Sequence, residues 1–193
     1  MLTIIAVTYN HKDSLKCFIN SIKNQTNNGW SLFIIHDGPN PSLKEELTNE
    51  NYLSDKVSFI EHPVRTENYG HLLRKWSLEN IELSEKVLLT NADNYYTPNL
   101  VDEVLKYEED FIYFNVVHSH KNKSNHNKST YGFMNADLIC GKIDMGCAVI
   151  KSELAKQVGF NSIAFEADWY YFEDVLKTNP SILKIDKVLF VHN

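Results

Sequence analysis

Cysteine is nearly absent: Cys17, Cys140 and Cys147 are the only three in 193 residues. An odd, sparse set supplies no disulfide framework and no C-x-x-C zinc pattern. It suits idle thiols in a reducing compartment. Long hydrophobic runs are missing too. No stretch approaches the roughly 18 apolar residues of a membrane span. The opening Met-Leu-Thr-Ile-Ile-Ala-Val-Thr has no basic leader and meets Tyr9-Asn10 too early for a signal-peptide core. The chain is therefore expected to be cytoplasmic, with any membrane association peripheral and through partners. Basic residues are in deficit, 19 Lys and Arg against 25 Asp and Glu, for a net charge of -6. That balance excludes a duplex-coating nucleic-acid binder. It leaves room for an anionic small molecule, since a bound cation or local amides reverse the field near a site. Seven glycines and five prolines build no linker and no repeat. The chain is 43% hydrophobic, enough for one domain with a substantial core over residues 1–193.

What is present is an alternation of strand-like and helix-like patterns. Leu2 to Thr8 is a short apolar, β-branched run, the signature of a buried strand. Leu15, Phe18, Ile19 and Ile22 recur at i, i+3, i+4 and i+7 and so share one helical face. Ser31 to Asp37 reads as a second strand, ended by the turn cluster Asp37-Gly38-Pro39-Asn40. Val57 to Glu61 reads as a third, followed by a helix over about Gly70 to Leu83; Lys86 to Asn91 reads as a fourth. Thr97 as N-cap and Pro98 at N1 then open a helix whose inner face is Val101, Val104 and Leu105. Phe111 to Val117 is a fifth strand, and His118 to Thr130, with Lys121, Lys123 and Lys128, is a mobile loop or an acceptor-side lid. Met145 to Ile150 is strand-like, Ser152 caps a short helix to Val158, Asp168 to Lys177 is helical, and Ile182 to Val191 is a last strand.

Strand, helix, strand with short connections implies parallel pairing and a three-layer α/β sheet. The ligand crevice of such a sheet lies beyond the carboxyl ends of its strands. Three polar clusters end apolar strands there: Thr8-Tyr9-Asn10, Asp37-Gly38 and Asn91-Ala92-Asp93-Asn94. A carboxylate in the last can hold a hard divalent cation that bridges a diphosphate, or the segment is simply a capping turn. Tyr9 can stack on a base, and Asp37 can accept from a base or ribose donor; each is equally readable as a strand-end turn residue.

The ordered set Thr8-Tyr9-Asn10, Asp37-Gly38, Asn68-Tyr69-Gly70 with Arg74, and Asn91-Ala92-Asp93 resembles the family 2 glycosyltransferases of GT-A fold. Phe165-Glu166-Ala167-Asp168-Trp169 is similar to that family's "ED" element, and Gly141-Lys142-Ile143-Asp144-Met145-Gly146 falls at its acceptor-side strand. The resemblance implies a nucleotide-sugar-binding half (residues 1–94) and an acceptor-binding half (residues 95–193). It implies an inverting transfer of a sugar from a nucleotide-diphosphate donor, UDP-linked by preference, to a hydroxyl of a glycan or lipid-linked acceptor in polysaccharide assembly. Thr8, Tyr9, Asn10 and Asp37 would hold the nucleoside, and Arg74 the diphosphate or the nucleotide loop. Asn91, Ala92 and Asp93 would form the metal turn, with Asn91 standing where the family has its first acid. Asp93 and His192 would bind Mn²⁺ or Mg²⁺. Asp168 would be the general base, with Glu166 as its alternative. Asp144 would position the acceptor, and Trp169 would stack on it or belong to the core. Glu173 and Asp174 read as solvated helix charges, and His36 and His71 receive no role. A nucleotide-sugar-binding scaffold without catalysis is the rival reading, suggested by Asn91.

Overall fold

A computed structural model describes residues 1–121 and 129–193. In chain order the elements are β1 (Leu2–Thr8), α1 (Lys12–Lys23), β2 (Trp30–His36), α2 (Pro41–Asn49), β3 (Val57–Glu61), α3 (His71–Asn80) and β4 (Lys86–Asn91). There follow β5 (Tyr95–Tyr96), α4 (Leu100–Val104), β6 (Phe111–Lys121), β7 (Ser129–Met134), β8 (Ala148–Lys151), α5 (Ser152–Val158), α6 (Ala167–Leu176) and β9 (Ile182–His192). Single 3-10 turns at Asn68–Gly70 and Met145–Cys147 precede α3 and β8.

The nine strands of the described residues form one sheet in the order β3-β2-β1-β4-β8-β6-β9-β5, with β7 paired to β6. The α/β architecture and mostly parallel sheet match the expectation. β1 lies parallel to both β2 and β4, with Leu2 opposite Trp30 and Lys86. Every residue of β1 is buried, which is why its sequence is a continuous apolar run instead of an alternation. β6 runs parallel to β9 but antiparallel to β8, which also runs antiparallel to β4. The parallel register of β1, β2 and β4 brings three polar strand ends to one edge, and this fixes the position of the site. α1 buries Leu15, Phe18, Ile19 and Ile22, the face that the 3.6 period predicts.

Several boundaries differ from the sequence reading. The helix opened by Thr97-Pro98 begins later: Asn99 is its N-cap, while Thr97 makes a turn in which its hydroxyl donates to Asn99 Oδ1 at 2.8 Å. Met145–Cys147 is a 3-10 turn capped by Asp144, because the Asp144 carboxylate accepts from Gly146 N at 2.9 Å; only Ala148 onward is strand. Ser152 is the first helical residue of α5, not its cap, and makes no cap hydrogen bond. The helix expected over Gly70 to Leu83 ends at Asn80. The 118–130 segment is strand at both ends, β6 reaching Lys121 and β7 starting at Ser129. The centre of that loop or lid, with Lys123 and Lys128, lies outside the described residues. α2 was not anticipated, although its signal is plain: Asn40 Oδ1 accepts from Leu43 N at 3.2 Å and Pro41 occupies the first turn.

Beneath the site, Tyr96 is fully buried and stacks on Phe190 with centroids 5.2 Å apart. Its hydroxyl donates to the Gly146 carbonyl and bonds the Thr90 hydroxyl, each at 2.8 Å. Tyr96 thereby ties β4 and β5 to the turn that carries Asp144. Tyr96→Phe should leave Gly146 O without its buried donor and cost about 1–3 kcal/mol of stability, read by chemical denaturation.

Candidate active site

The site begins where β1, β2 and β4 end. Thr8 lies opposite His36, Val7 opposite Asn91, and Ala92 N donates to Val7 O at 3.0 Å. Beyond these ends lies a cavity of about 610 Å³, with Tyr9, Asp37, Arg65, Tyr69, Asn91 and Asp93 among its lining. Thr8, Tyr9 and Asp37 line this one cavity, whereas Asn10 is not among its lining residues.

Asp37 is buried and heavily engaged. Its Oδ1 accepts from Thr66 N at 2.6 Å and Thr66 Oγ1 at 2.9 Å, and its Oδ2 accepts from Glu67 N at 2.9 Å. It fastens a strap of backbone that runs to Gly70. Within this strap Glu67, Asn68 and Tyr69 all have positive φ, at 57, 49 and 54°. Non-glycine residues there cost of order 1–3 kcal/mol each when strained and persist only where their surroundings over-determine them. Asp37 supplies the restraint at one end. At the other, Gly70 (φ 77°) passes so close to β1 that a Cβ would stand 2.7 Å from Val7 Cγ2, so glycine is required by space as well as by conformation. The Arg65 guanidinium lies over the Tyr9 ring at 4.0 Å, a cation–π contact at the cavity mouth.

Arg74 is 2% exposed. Its Nη1 donates to Tyr69 O at 3.0 Å, closing the strap, and its Nη2 donates to Asn91 Oδ1 at 2.5 Å. One guanidinium thus holds the strap and the first residue of the Asn91-Ala92-Asp93 turn together. Burial lowers its pKa; the charges of Asp168, Asp144 and Asp93 oppose that shift. The fork geometry of arginine is what allows two backbone segments to be held by one side chain. The Asn91 amide oxygen is consumed by this bond, so the residue standing in the first acidic position acts here as a strut.

His71 is buried against Phe160, ring on ring at 5.4 Å and 21°. Its Nδ1 lies 3.2 Å from Arg74 Nη1. A guanidinium only donates, so Nδ1 accepts and the imidazole is neutral. Burial, then Arg74, lower its pKa, while the Asp168 charge opposes them.

In the second half of the chain stand Asp168 and Trp169 in the first turn of α6, with Glu166 exposed at its N-cap. Trp169 is partly buried against the core. Asp168 Oδ1 is buried without a hydrogen-bond partner, as are Asp93 Oδ1 and His192 Nδ1. Burial raises the pKa of Asp144; the Asp168 charge adds to the rise, and His192, Gly146 N and Arg74 oppose it. Among the described residues, the His, Cys, Asp and Glu side chains with three donor atoms within 4.8 Å of one another are His118, Asp144 and His192. Asp93 is not in this group. The reason lies in the sheet: β9 pairs with β6 so that His192 sits opposite His118. The carboxyl groups of Asp93, Asp144 and Asp168 act electrostatically on Arg74, and the buried Asp93 Oδ1, Asp168 Oδ1 and His192 Nδ1 have no hydrogen-bond partner among the described residues. The residues present therefore fit a divalent cation.

The sequence pattern of glycosyl transferase family 2 matches residues 3–152. The chain belongs to that family. An uncharacterized glycosyltransferase of Methanocaldococcus jannaschii is 29% identical over 111 residues, 56% of this chain and 37% of that one. Two solved GT-A structures superpose on nearly the whole chain. One is TarS 1-349 of S. aureus in complex with UDP-GlcNAc, with TM-score 0.72, 15% identity, and 98% of this chain on 57% of that one. The other is the mannosyltransferase PcManGT of Pyrobaculum calidifontis in complex with GDP-Man and Mn²⁺, with TM-score 0.69, 15% identity, and 99% on 56%. The family 2 chain described here thus spans little more than half the length of those two structures and about a third of its archaeal relative. Among its described residues no helix is long and apolar enough to cross a membrane.

Four members of the site are not legible as such in the sequence. Arg65 and Thr66 sit in no motif, and only the folded strap places them on Tyr9 and Asp37. His118 lay in a segment that reads as loop, and nothing local announces its cross-strand partner. His71 was assigned no role, yet it bears on Arg74. Its lowered pKa has a consequence for stability. The unfolded chain takes up a proton at an ordinary value near 6.5, before the folded one does. Stability from this site is complete above that pH and is lost as pH falls below it. His71→Gln should flatten the decline in unfolding free energy between about pH 7 and pH 5 relative to the unaltered chain, measured by urea denaturation.

Proposed function

We propose that this family 2 chain transfers a sugar from a nucleotide-diphosphate donor, UDP-linked by preference, to a hydroxyl of a glycan or lipid-linked acceptor, with inversion. The observation that carries the reading is the arrangement around Arg74. Strand ends suited to a nucleoside and a metal turn lie on one side of it, and a carboxylate with a buried, unpartnered oxygen lies on the other. The complexes of TarS with UDP-GlcNAc and of PcManGT with GDP-Man and Mn²⁺ support the donor class.

In this mechanism Thr8, Tyr9, Asn10 and Asp37 frame the nucleoside. Asp37 does so largely through the strap it fastens. Asn91 and Ala92 shape the turn that delivers Asp93 toward the diphosphate, and Arg74 holds that turn. Asp93 and His192 would hold Mn²⁺ or Mg²⁺; when bound, such an ion neutralises charge on the departing diphosphate. Asp168 accepts the proton of the acceptor hydroxyl as its oxygen attacks the anomeric carbon from the face opposite the leaving group. Asp144 and Trp169 position that acceptor. Excess negative charge at the site makes a cation the natural bridge to an anionic donor. Polysaccharide assembly at the cytoplasmic side of a membrane, with docking through partners, is the setting this chemistry suits.

A thermal-shift series with UDP-GlcNAc, UDP-glucose and GDP-mannose, each with and without Mn²⁺, tests the donor class, and release of nucleotide diphosphate tests turnover. We expect stabilisation by at least one donor with Mn²⁺. Asp168→Asn should lower release by about 100-fold or more without weakening the stabilisation. Stabilisation without any release by the unaltered chain supports the scaffold reading instead; response to no donor contradicts both.

A further inference from the structure

Within the donor reading above, on which this step rests, we propose that Arg65, and not Arg74, is the arginine that meets the donor's diphosphate. It leaves the Tyr9 ring to do so. Among the described residues that line the cavity of about 610 Å³, Arg65 is the only Lys or Arg, and the same lining carries the carboxylates of Asp37, Glu67 and Asp93. A diphosphate entering beside three carboxylates needs positive charge from the protein as well as from any bound ion. Arg74 is poorly placed to supply it. That side chain is buried, is not part of the lining, and gives Nη1 to Tyr69 O and Nη2 to Asn91 Oδ1.

Arg65 is anchored at its backbone and lightly held at its head. Its main chain packs on the turn after β2, so closely that a Cβ at Gly38 would stand 3.4 Å from Arg65 N and Cβ. The next residue, Thr66, is bonded through N and Oγ1 to Asp37. Among the described residues the guanidinium has two charge or ring contacts: the Tyr9 ring at 4.0 Å and Glu67 Oε1 at 3.7 Å. The ion pair joins side chains 50% and 71% exposed, and such pairs contribute little. A cation–π contact at an exposed site is also weak. Both yield to a diphosphate, whose oxygens accept from the arginine fork in charge-assisted, bidentate geometry. The same movement frees an aromatic face. Tyr9 has the guanidinium over its ring and the tilted His36 ring 5.9 Å away. A base that stacks on the face under Arg65 must displace the guanidinium, and the anion beside that base is where the charge then goes. One side chain thereby links base stacking to diphosphate binding.

The experiment is calorimetric titration of the unaltered chain, Arg65→Gln and Arg65→Lys with UDP and with uridine, all at one Mn²⁺ concentration. Arg65→Gln removes the charge and keeps a side chain beside Tyr9. We expect it to weaken UDP binding about tenfold or more, while uridine binds at least as tightly as to the unaltered chain. Arg65→Lys keeps the charge without the fork and should fall between the two for UDP. UDP affinity should also drop more steeply with added salt for the unaltered chain than for Arg65→Gln. Unchanged UDP binding in Arg65→Gln, UDP and uridine weakened by the same factor, or an equal salt dependence would each overturn the proposal and leave the donor reading standing. Failure of the unaltered chain to bind UDP would overturn the donor reading, and the proposal with it.

Discussion

A guanidinium taken almost wholly out of water organises this protein's site. Burying an arginine is costly unless most of its donors are met and its charge is answered, and here Arg74 Nε is left without a hydrogen-bond partner. Arg74 meets Tyr69 O and Asn91 Oδ1 directly, and the carboxylates of Asp168, Asp144 and Asp93 answer the charge. The two direct bonds are made to the first half of the chain; two of the three carboxylates come from the second half. A single side chain therefore couples the first half of the chain to the second. The coupling is electrostatic on one side and geometric on the other.

The strap from Thr66 to Gly70 depends on the same centre. Three consecutive non-glycine residues with positive φ would relax if released. Asp37 and Arg74 restrain them from opposite ends, and Gly70 fills the one place where β1 leaves no room for a side chain. The strap therefore reads as pre-organised structure, with its unfavourable backbone offset by a buried carboxylate and a buried cation. Asp37 shows how one residue can line a cavity and act mainly on protein, since three of its acceptor positions are already filled. His71 adds a pH-sensitive element to this centre, because a neutral ring is what Arg74 Nη1 requires beside it.

The first half of the fold was legible because its signals are local. A buried parallel strand announces itself as an apolar run, α1 by its 3.6 period, and the strand-end polar clusters by contrast with what precedes them. The strand ends converge on one cavity as the crevice rule for open α/β sheets anticipates. The second half was less legible because its chemistry is made by long-range pairing. Nothing around His118 says that β9 will lie beside it in register. The run from Met145 looks like strand until Asp144 is seen capping it as a 3-10 turn. Arg74 was picked out as a motif residue, but whether it meets ligand or loop is decided by burial, which only the packed structure supplies. Asn91 could be seen to be an amide in an acidic position; its bond to Arg74 explains what the amide does there.

The account turns on one claim, that the buried Arg74 fork holds the strap and the Asn91-Ala92-Asp93 turn in the shape that the proposed donor requires. Arg74→Lys keeps the charge and removes the fork. The direct measurement is UDP affinity with Mn²⁺ by calorimetry, paired with the melting temperature of the same variant. The account predicts a lower melting temperature and UDP binding weakened about tenfold or more, since a lysine cannot span Tyr69 O and Asn91 Oδ1 together. A variant that melts and binds UDP like the unaltered chain would contradict it.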